Sequence, residues 1–389
     1  MVNLDVEIAL QQRNLEEGAD EDEPIFEVDL GDSVSDEMTQ MRMNADKLDC
    51  VMRIFMEYIS EVCKKRKAQV TPRNAEHQQT ADGGWRMLKS LLAAFQESIL
   101  STYKCRCTQF LILYCCSFDS AFSEAFIEFL LVQVLSEQVY AEARIASAAY
   151  VASFLARAKF VPLSTVLKSI RVLLQWAAQY EQNVAASSGY KHTQLDVQRH
   201  GVYYATIQGI LYLLCYKYHA LIAYEYADER AELGEAIKKI ARGILNPLKF
   251  VQEDVLSEFE RLQLCDCSAI IAANEASACV EGHTAEDRLG DFFPFDPLLL
   301  KGAASYISTL YQTWQPVNSR GEPRLSNASC IDTDTDASAS MAHSLQNMSI
   351  GTPDHFSAMG SSMGSYMCRR LAEQGEILNN VVQNRVNQR

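Results

Sequence analysis

The chain has 389 residues, 48% of them hydrophobic, enough to bury one extended core or two compact ones. The formal net charge is −15, but residues 1–37 hold 13 acids against one base, and the rest of the chain carries only −3. A near-neutral body excludes a general attraction to nucleic-acid phosphates, so no strong direct nucleic-acid binding is expected.

In chain order, residues 1–45 combine acids with Pro and Gly, as in EEGADEDEPIFEVDLGD, and predict a disordered acidic segment. Its apolar islands, Ile25, Phe26, Val28 and Leu30, read as a solvated linker or as a docking peptide. From Asp46 a helical period begins: Leu48, Met52, Phe55 and Ile59 are spaced to share one face. The run Lys64, Lys65, Arg66, Lys67 is placed in an exposed loop just past that helix. It reads either as a nuclear import signal or as a charge cluster favoured at a helix C-terminus. Thr71-Pro72 follows as a candidate phosphorylation site or an ordinary turn. Two further stripes are Trp85, Leu88, Leu92, Phe95, Ile99 and Phe122, Phe126, Phe129, Leu130, Val134.

Ile145–Leu155 is apolar on nearly every side and rich in Ala, the pattern of a helix enclosed by neighbours that approach closely. Leu155, Ala156, Arg157, Ala158 and Lys159 end it and form a candidate partner-binding segment, with two cations at the helix C-terminus. Compensation of the helix dipole, worth ~0.3–1 kcal/mol, explains the same cations without a partner. Pro162 suits the first turn of a helix carrying Val166, Ile170, Leu173 and Ala177. Tyr204, Ile207, Leu211, Leu214, Tyr218 and Leu221 mark the next, with Gly201 and Gly209 read as packing or boundary positions. Leu233, Ile237, Ile240 and Ile244 mark another. Asn246 is expected to cap, and Pro247 to open, a helix continuing through Val251, Val255 and Phe259. Residues 46–314 therefore predict one all-α helical-repeat domain of about five helical pairs, a solenoid or a bundle, since no sustained period-two alternation occurs. Residues 315–389 have the composition of a disordered tail with a weak terminal helix, and hold Thr352-Pro353 as a second candidate phosphorylation site.

The most apolar stretch, Val202–Tyr216, is broken by Thr206 and Gln208 and falls short of the ~18 residues a membrane span needs. The N-terminus has no basic start followed by an apolar core, and the 12 cysteines fall on apolar stretches such as LILYCCSF. Both features predict a soluble intracellular protein with reduced, buried thiols. Seven scattered histidines and the absence of metalloprotease, phosphate-loop and nucleophile-elbow patterns predict neither an enzyme nor a cofactor. Cys105/Cys107 and Cys265/Cys267 are C-x-C pairs; on one helix such thiols point about 200° apart, so they read as free thiols and not as metal ligands.

Five segments occur together in one order: FDSAFSEAFIEFL (Phe118–Leu130), YVASFLARAKFVPLSTVLKSIRVLLQW (Tyr150–Trp176), HGVYYATIQGILYLLCYKYHAL (His200–Leu221), LNPLKF (Leu245–Phe250) and DFFPFDPLLL (Asp291–Leu300) with YQTW (Tyr311–Trp314). In this the chain resembles the RNA polymerase I-specific transcription initiation factor family over about Asp46–Trp314. The resemblance implies a HEAT-repeat α-solenoid and a nuclear, nucleolar, non-catalytic phosphoprotein. It implies binding to RNA polymerase I near its stalk and to the promoter selectivity (core) factor, with self-association as a possible homodimer in some members. The family associates the segment matching Leu155–Lys159 with the selectivity factor. Members carry further helical repeats before the acidic segment, so this chain is expected to correspond to the C-terminal part of a longer protein. In DFFPFDPLLL the phenylalanines are expected to plug the end of the helical array. The helices and charge alone fit a generic helical-repeat adaptor in nuclear transport or complex assembly equally well.

Overall fold

The computed structural model describes residues 1–8, 31–69, 83–102, 105–188, 195–222, 226–281, 294–296 and 298–314. Among these the regular elements are helices and no β-strand forms, as the spacing predicts. In order they are α1 (residues 2–8), α2 (Gly31–Gln69), α3 (Gly83–Ala94) running into a π-helical turn (Phe95–Ile99), α4 (Phe110–Cys116), α5 (Ser120–Leu135), α6 (Ala141–Arg157), α7 (Leu163–Ser188), α8 (Val197–Leu221), α9 (Ala227–Ala241), a 3₁₀ turn (Pro247–Lys249), α10 (Glu253–Arg261), α11 (Ser268–Glu281) and α12 (Lys301–Ile307). None is long and apolar enough to cross a membrane, among the described residues.

Where one domain is expected over 46–314, the chain divides into two compact units. The first takes Met1–Phe126 and Pro294–Tyr311; the second takes Ile127–Phe293 and the segment from Gln312. The first unit is closed by long-range polar contacts. Asp49 on α2 accepts the Gly302 N–H (2.8 Å) and the Ala303 N–H (2.7 Å), and so caps the start of α12 from 253 residues away. Asp5, buried on α1, accepts the N–H groups of Cys107 (2.9 Å) and Thr108 (2.8 Å) and the Thr108 hydroxyl (3.0 Å). Residues 1–45 are thus not uniformly disordered. Residues 2–8 are helical, and α2 starts at Gly31, ahead of the predicted Asp46. The carboxylate of Asp5 finds donors that composition does not reveal, and burial with such donors offsets the cost of its charge. Residues 9–30 and 315–389 lie outside the described residues.

Of the predicted α2 stripe, Leu48, Met52 and Ile59 are buried with Met56 and Cys63, but Phe55 is 40% exposed. Steps of four from Leu48 lead to Met56 rather than Phe55, and the core follows the i+4 row. The other stripes of this unit are buried as spaced. Trp85 meets Phe122 edge-on at 4.9 Å and Phe95 meets Phe126 at 5.3 Å. Phe295 is fully buried, edge-on to Phe110 of α4 at 5.6 Å, and its carbonyl accepts the Tyr311 hydroxyl at 2.8 Å. The other two phenylalanines of that segment, Phe292 and Phe293, lie outside the described residues.

In the second unit α8 is the central rod, packed by α6, α7 and α10 and buried along most of its length. Asp196 caps it, accepting the Gln198 N–H at 2.8 Å. The axes of α6 and α8 come close because Gly209 faces Ala148 and Ala152: a Cβ at 209 would lie 3.0 Å from the Ala152 Cβ. The void between α7, α8, α9 and the 3₁₀ turn is only about 10 Å³, so this core is close-packed. Tyr204 stacks on Phe250 at 4.2 Å and donates its hydroxyl to the Leu245 carbonyl at 3.1 Å. Asn246 does not cap a helix as predicted. It is left-handed (φ 41°), and its side chain exchanges hydrogen bonds with Asn274 (2.7 and 3.1 Å). Pro247 opens only a 3₁₀ turn, and α10 starts afresh at Glu253, because the amide of Asn246 is taken by a partner 28 residues on.

Candidate partner-binding site

The C-terminus of α6 carries the residues singled out above, and the structure separates them. Leu155, Ala156, Arg157 and Ala158 are buried, while Lys159 faces solvent. Arg157 is only 2% exposed. Its guanidinium carbon lies 4.5 Å over the Tyr216 ring of α8, a cation–π contact that is strong when desolvated. Trp314 closes on the same ring edge-to-face at 4.8 Å. The expected pair of surface cations is therefore corrected to one. Arg157 falls on the inner face, because the last turn of α6 is covered by α8 and by the returning strap at 312–314.

That strap is held by polar contacts. The Gln312 N–H donates to the Arg157 carbonyl at 2.7 Å, satisfying an acceptor at the helix end. The Gln312 side-chain amide donates to the Tyr216 carbonyl at 2.9 Å, and its oxygen accepts Lys217 Nζ at 2.7 Å. Residues 312–314 are thus a latch on the end of α6 and α8, beside which Lys159 faces solvent. Sequence reasoning missed Lys217 and Gln312, although both lie within segments that carry the family resemblance, HGVYYATIQGILYLLCYKYHAL and YQTW.

Burial pulls the Lys217 ammonium down to about 8, from an ordinary value of about 10.4. The folded chain binds this proton less tightly than the unfolded chain, so the penalty for burying the charge is fully present below about pH 8 and fades towards pH 10.4. Wild-type stability minus that of Lys217→Met is expected to rise by about 2 kcal/mol between about pH 7 and pH 10, read from urea denaturation of both proteins. A difference independent of pH would assign the substitution to packing alone.

The other singled-out residues lie elsewhere. Lys64, Lys65, Arg66 and Lys67 fall within the last turns of α2, not in a loop; Lys64 is exposed, and the helix continues to Gln69 because the run is made of good helix formers. Thr71 and Thr352 lie outside the described residues. An open hollow of about 540 Å³ on α9 is lined by Glu235, Ala236, Lys238, Lys239 and Arg242. Among the described residues no group of three or more His, Cys, Asp or Glu side chains is placed to hold a metal ion.

The family model described as RNA polymerase I specific transcription initiation factor RRN3 matches residues 1–319. The RNA polymerase I-specific transcription initiation factor RRN3 of Mus musculus is 29% identical over 81% of this chain and 51% of its own length. The factor rrn3 of Schizosaccharomyces pombe is 24% identical over 72% of this chain and 45% of its own. The chain spans about half the length of the curated relatives it matches. The crystal structure of RNA polymerase I transcription initiation factor Rrn3 matches with a TM-score of 0.62 at 20% identity, covering 82% of this chain and 61% of that one. The fold is that of this helical-repeat protein.

Proposed function

Because the chain belongs to the RNA polymerase I specific transcription initiation factor RRN3 family, we propose that it acts in RNA polymerase I initiation as a non-catalytic helical scaffold in the nucleus and nucleolus. In this reading one surface binds the polymerase and another binds the promoter selectivity factor. The observation that carries it is the family match over residues 1–319, which takes in both the α6 end and its latch at residues 312–314. Lys159 is the contact residue of the latter surface, and Arg157 is a positioning residue that fixes the end of α6 against Tyr216. The basic run on α2 serves nuclear import, Thr71 and Thr352 take phosphate, and self-association belongs to the same reading.

Tagged protein is expected to co-purify with RNA polymerase I or the selectivity factor from nucleolar extract. Lys159→Glu is expected to lower selectivity-factor capture about tenfold, the scale for a reversed charge at an interface, with an unchanged circular dichroism spectrum. Wild-type capture by this variant would remove Lys159 from the surface. Capture of neither partner by a chain carrying the family's additional repeats would overturn the scaffold role.

A further inference from the structure

We propose that Cys265 and Cys267 form a reversible dithiol–disulfide site, oxidised by a peroxide. Their sulfurs lie 3.2 Å apart in the loop between α10 and α11. The 200° divergence expected of these two thiols holds only on a helix, and here the chain is not helical. Gln263 turns the backbone left-handed (φ 50°) after α10, and the two side chains fold to one side.

Three features make this pair unlike the others. First, the loop is clamped: Gly234 of α9 packs against the Leu264 carbonyl, where a Cβ would approach to 2.6 Å. The backbone that leads into Cys265 is therefore seated closely on α9. Second, Cys267 stands at the start of α11, a 14-residue helix, and its carbonyl accepts the N–H groups of Ile270 (2.9 Å) and Ile271 (3.1 Å). Negative charge on its sulfur is favoured there. The Cys265 hydrogen bond is the largest influence holding the Cys267 thiol below its ordinary value; Arg242 and Lys238 act in the same sense, against burial and Asp266. Third, access is split: Cys265 is half-buried and open to solvent, and Cys267 is 3% exposed.

Cys265 is raised, first by its hydrogen bond to Cys267 and then by burial, so Cys267 is the thiol of the pair on which charge settles. At the equally spaced Cys105 and Cys107 neither thiol is lowered. Both are buried beside Asp5, and burial with that carboxylate pushes Cys105 up to about 12 and Cys107 further. Cys115, Cys116 and Cys215 are buried and likewise raised; a hydrogen bond with Cys63 leads at Cys115, and burial leads at the other two.

The Cys267 thiolate, which accepts the Cys265 S–H, attacks hydrogen peroxide reaching it past the solvent-open Cys265. The O–O bond breaks, leaving a sulfenic acid on Cys267 and a hydroxide that takes a proton to become water. Cys265 Sγ then attacks Cys267 Sγ, forming the S–S bond, and its thiol proton leaves with the sulfenic oxygen as a second water. Two thiols lose two electrons and two protons, and one peroxide becomes two waters. The sulfurs need close only from 3.2 Å to ~2.0 Å. A thiol reductant reverses the step by exchange.

The test uses the full reduced chain, treated with stoichiometric hydrogen peroxide, alkylated, digested and read by mass spectrometry. The tryptic peptide after Arg261 is expected to lose two hydrogens and two alkylation sites about tenfold faster than peptides carrying the buried cysteines, and to regain both with dithiothreitol. That peptide also holds Cys279, so the bond is expected to persist in Cys279→Ser and to vanish in Cys265→Ser and in Cys267→Ser. The rate advantage is expected to collapse in urea, where every thiol is equally exposed. Retention of both thiols while other cysteines oxidise, a bond that requires Cys279, or equal rates in folded and unfolded chain would each overturn the site.

Discussion

Arg157→Glu is expected to lower stability by about 3–5 kcal/mol, the range for leaving an ill-matched charge in a buried site. The site is almost closed to water, and the guanidinium lies over the face of Tyr216. That face is the negative pole of the ring quadrupole, so a carboxylate there loses the cation–π attraction and meets repulsion. Arg157→Met keeps an apolar stem of similar reach and removes the charge, so a change of under about 1.5 kcal/mol is expected. Urea denaturation of the three proteins at one pH reads the difference. The Arg157 carbonyl, not its side chain, accepts the Gln312 N–H, so both variants retain that bond. A wild-type midpoint for Arg157→Glu would show that the side chain leaves the core and would restore Arg157 as a surface contact. The sequence pattern alone suggests reversing Arg157 and Lys159 together with the fold intact. The structure separates them: only Lys159→Glu is a clean probe of binding.

Gly209→Leu is the second large effect. The α6–α8 contact is built on the absence of a side chain at 209, with the Ala152 Cβ at 3.0 Å and the Ala148 carbonyl oxygen at 3.3 Å from a Cβ placed there. Neither neighbour is a flexible side-chain end, so the helices must separate, at a cost of about 1–3 kcal/mol or more for overpacking a close-packed core. Replacing a mid-helix glycine returns about 1 kcal/mol of helix propensity, which lessens the loss without reversing it. The expected result is a fall of several degrees in Tm, measured by circular dichroism, with Gly209→Ala falling less. An unchanged or higher Tm for Gly209→Leu would mean that α6 and α8 do not approach as closely as described.

The helical class and most of the core were legible in the residues themselves. Stripes such as Trp85–Ile99 and Val166–Ala177 are local: one helical turn decides which side chains share a face, and burial follows that face. The alanines of α6 likewise announced a close neighbour, although not that Gly209 would be the residue to meet them. What only the tertiary structure decided depends on contacts between distant parts of the chain. Asp5 and Asp49 each serve as caps for backbone more than a hundred residues away, so composition read one of them as part of a disordered tail. Arg157 and Lys159, two residues apart at one helix end, part into core and solvent because of where Tyr216 and Gln312 arrive. Cys265 and Cys267 converge because the chain leaves the helix at Gln263. Spacing along the chain determines which face a residue shares; what covers that face is set by loop closure across the fold, which no local period encodes.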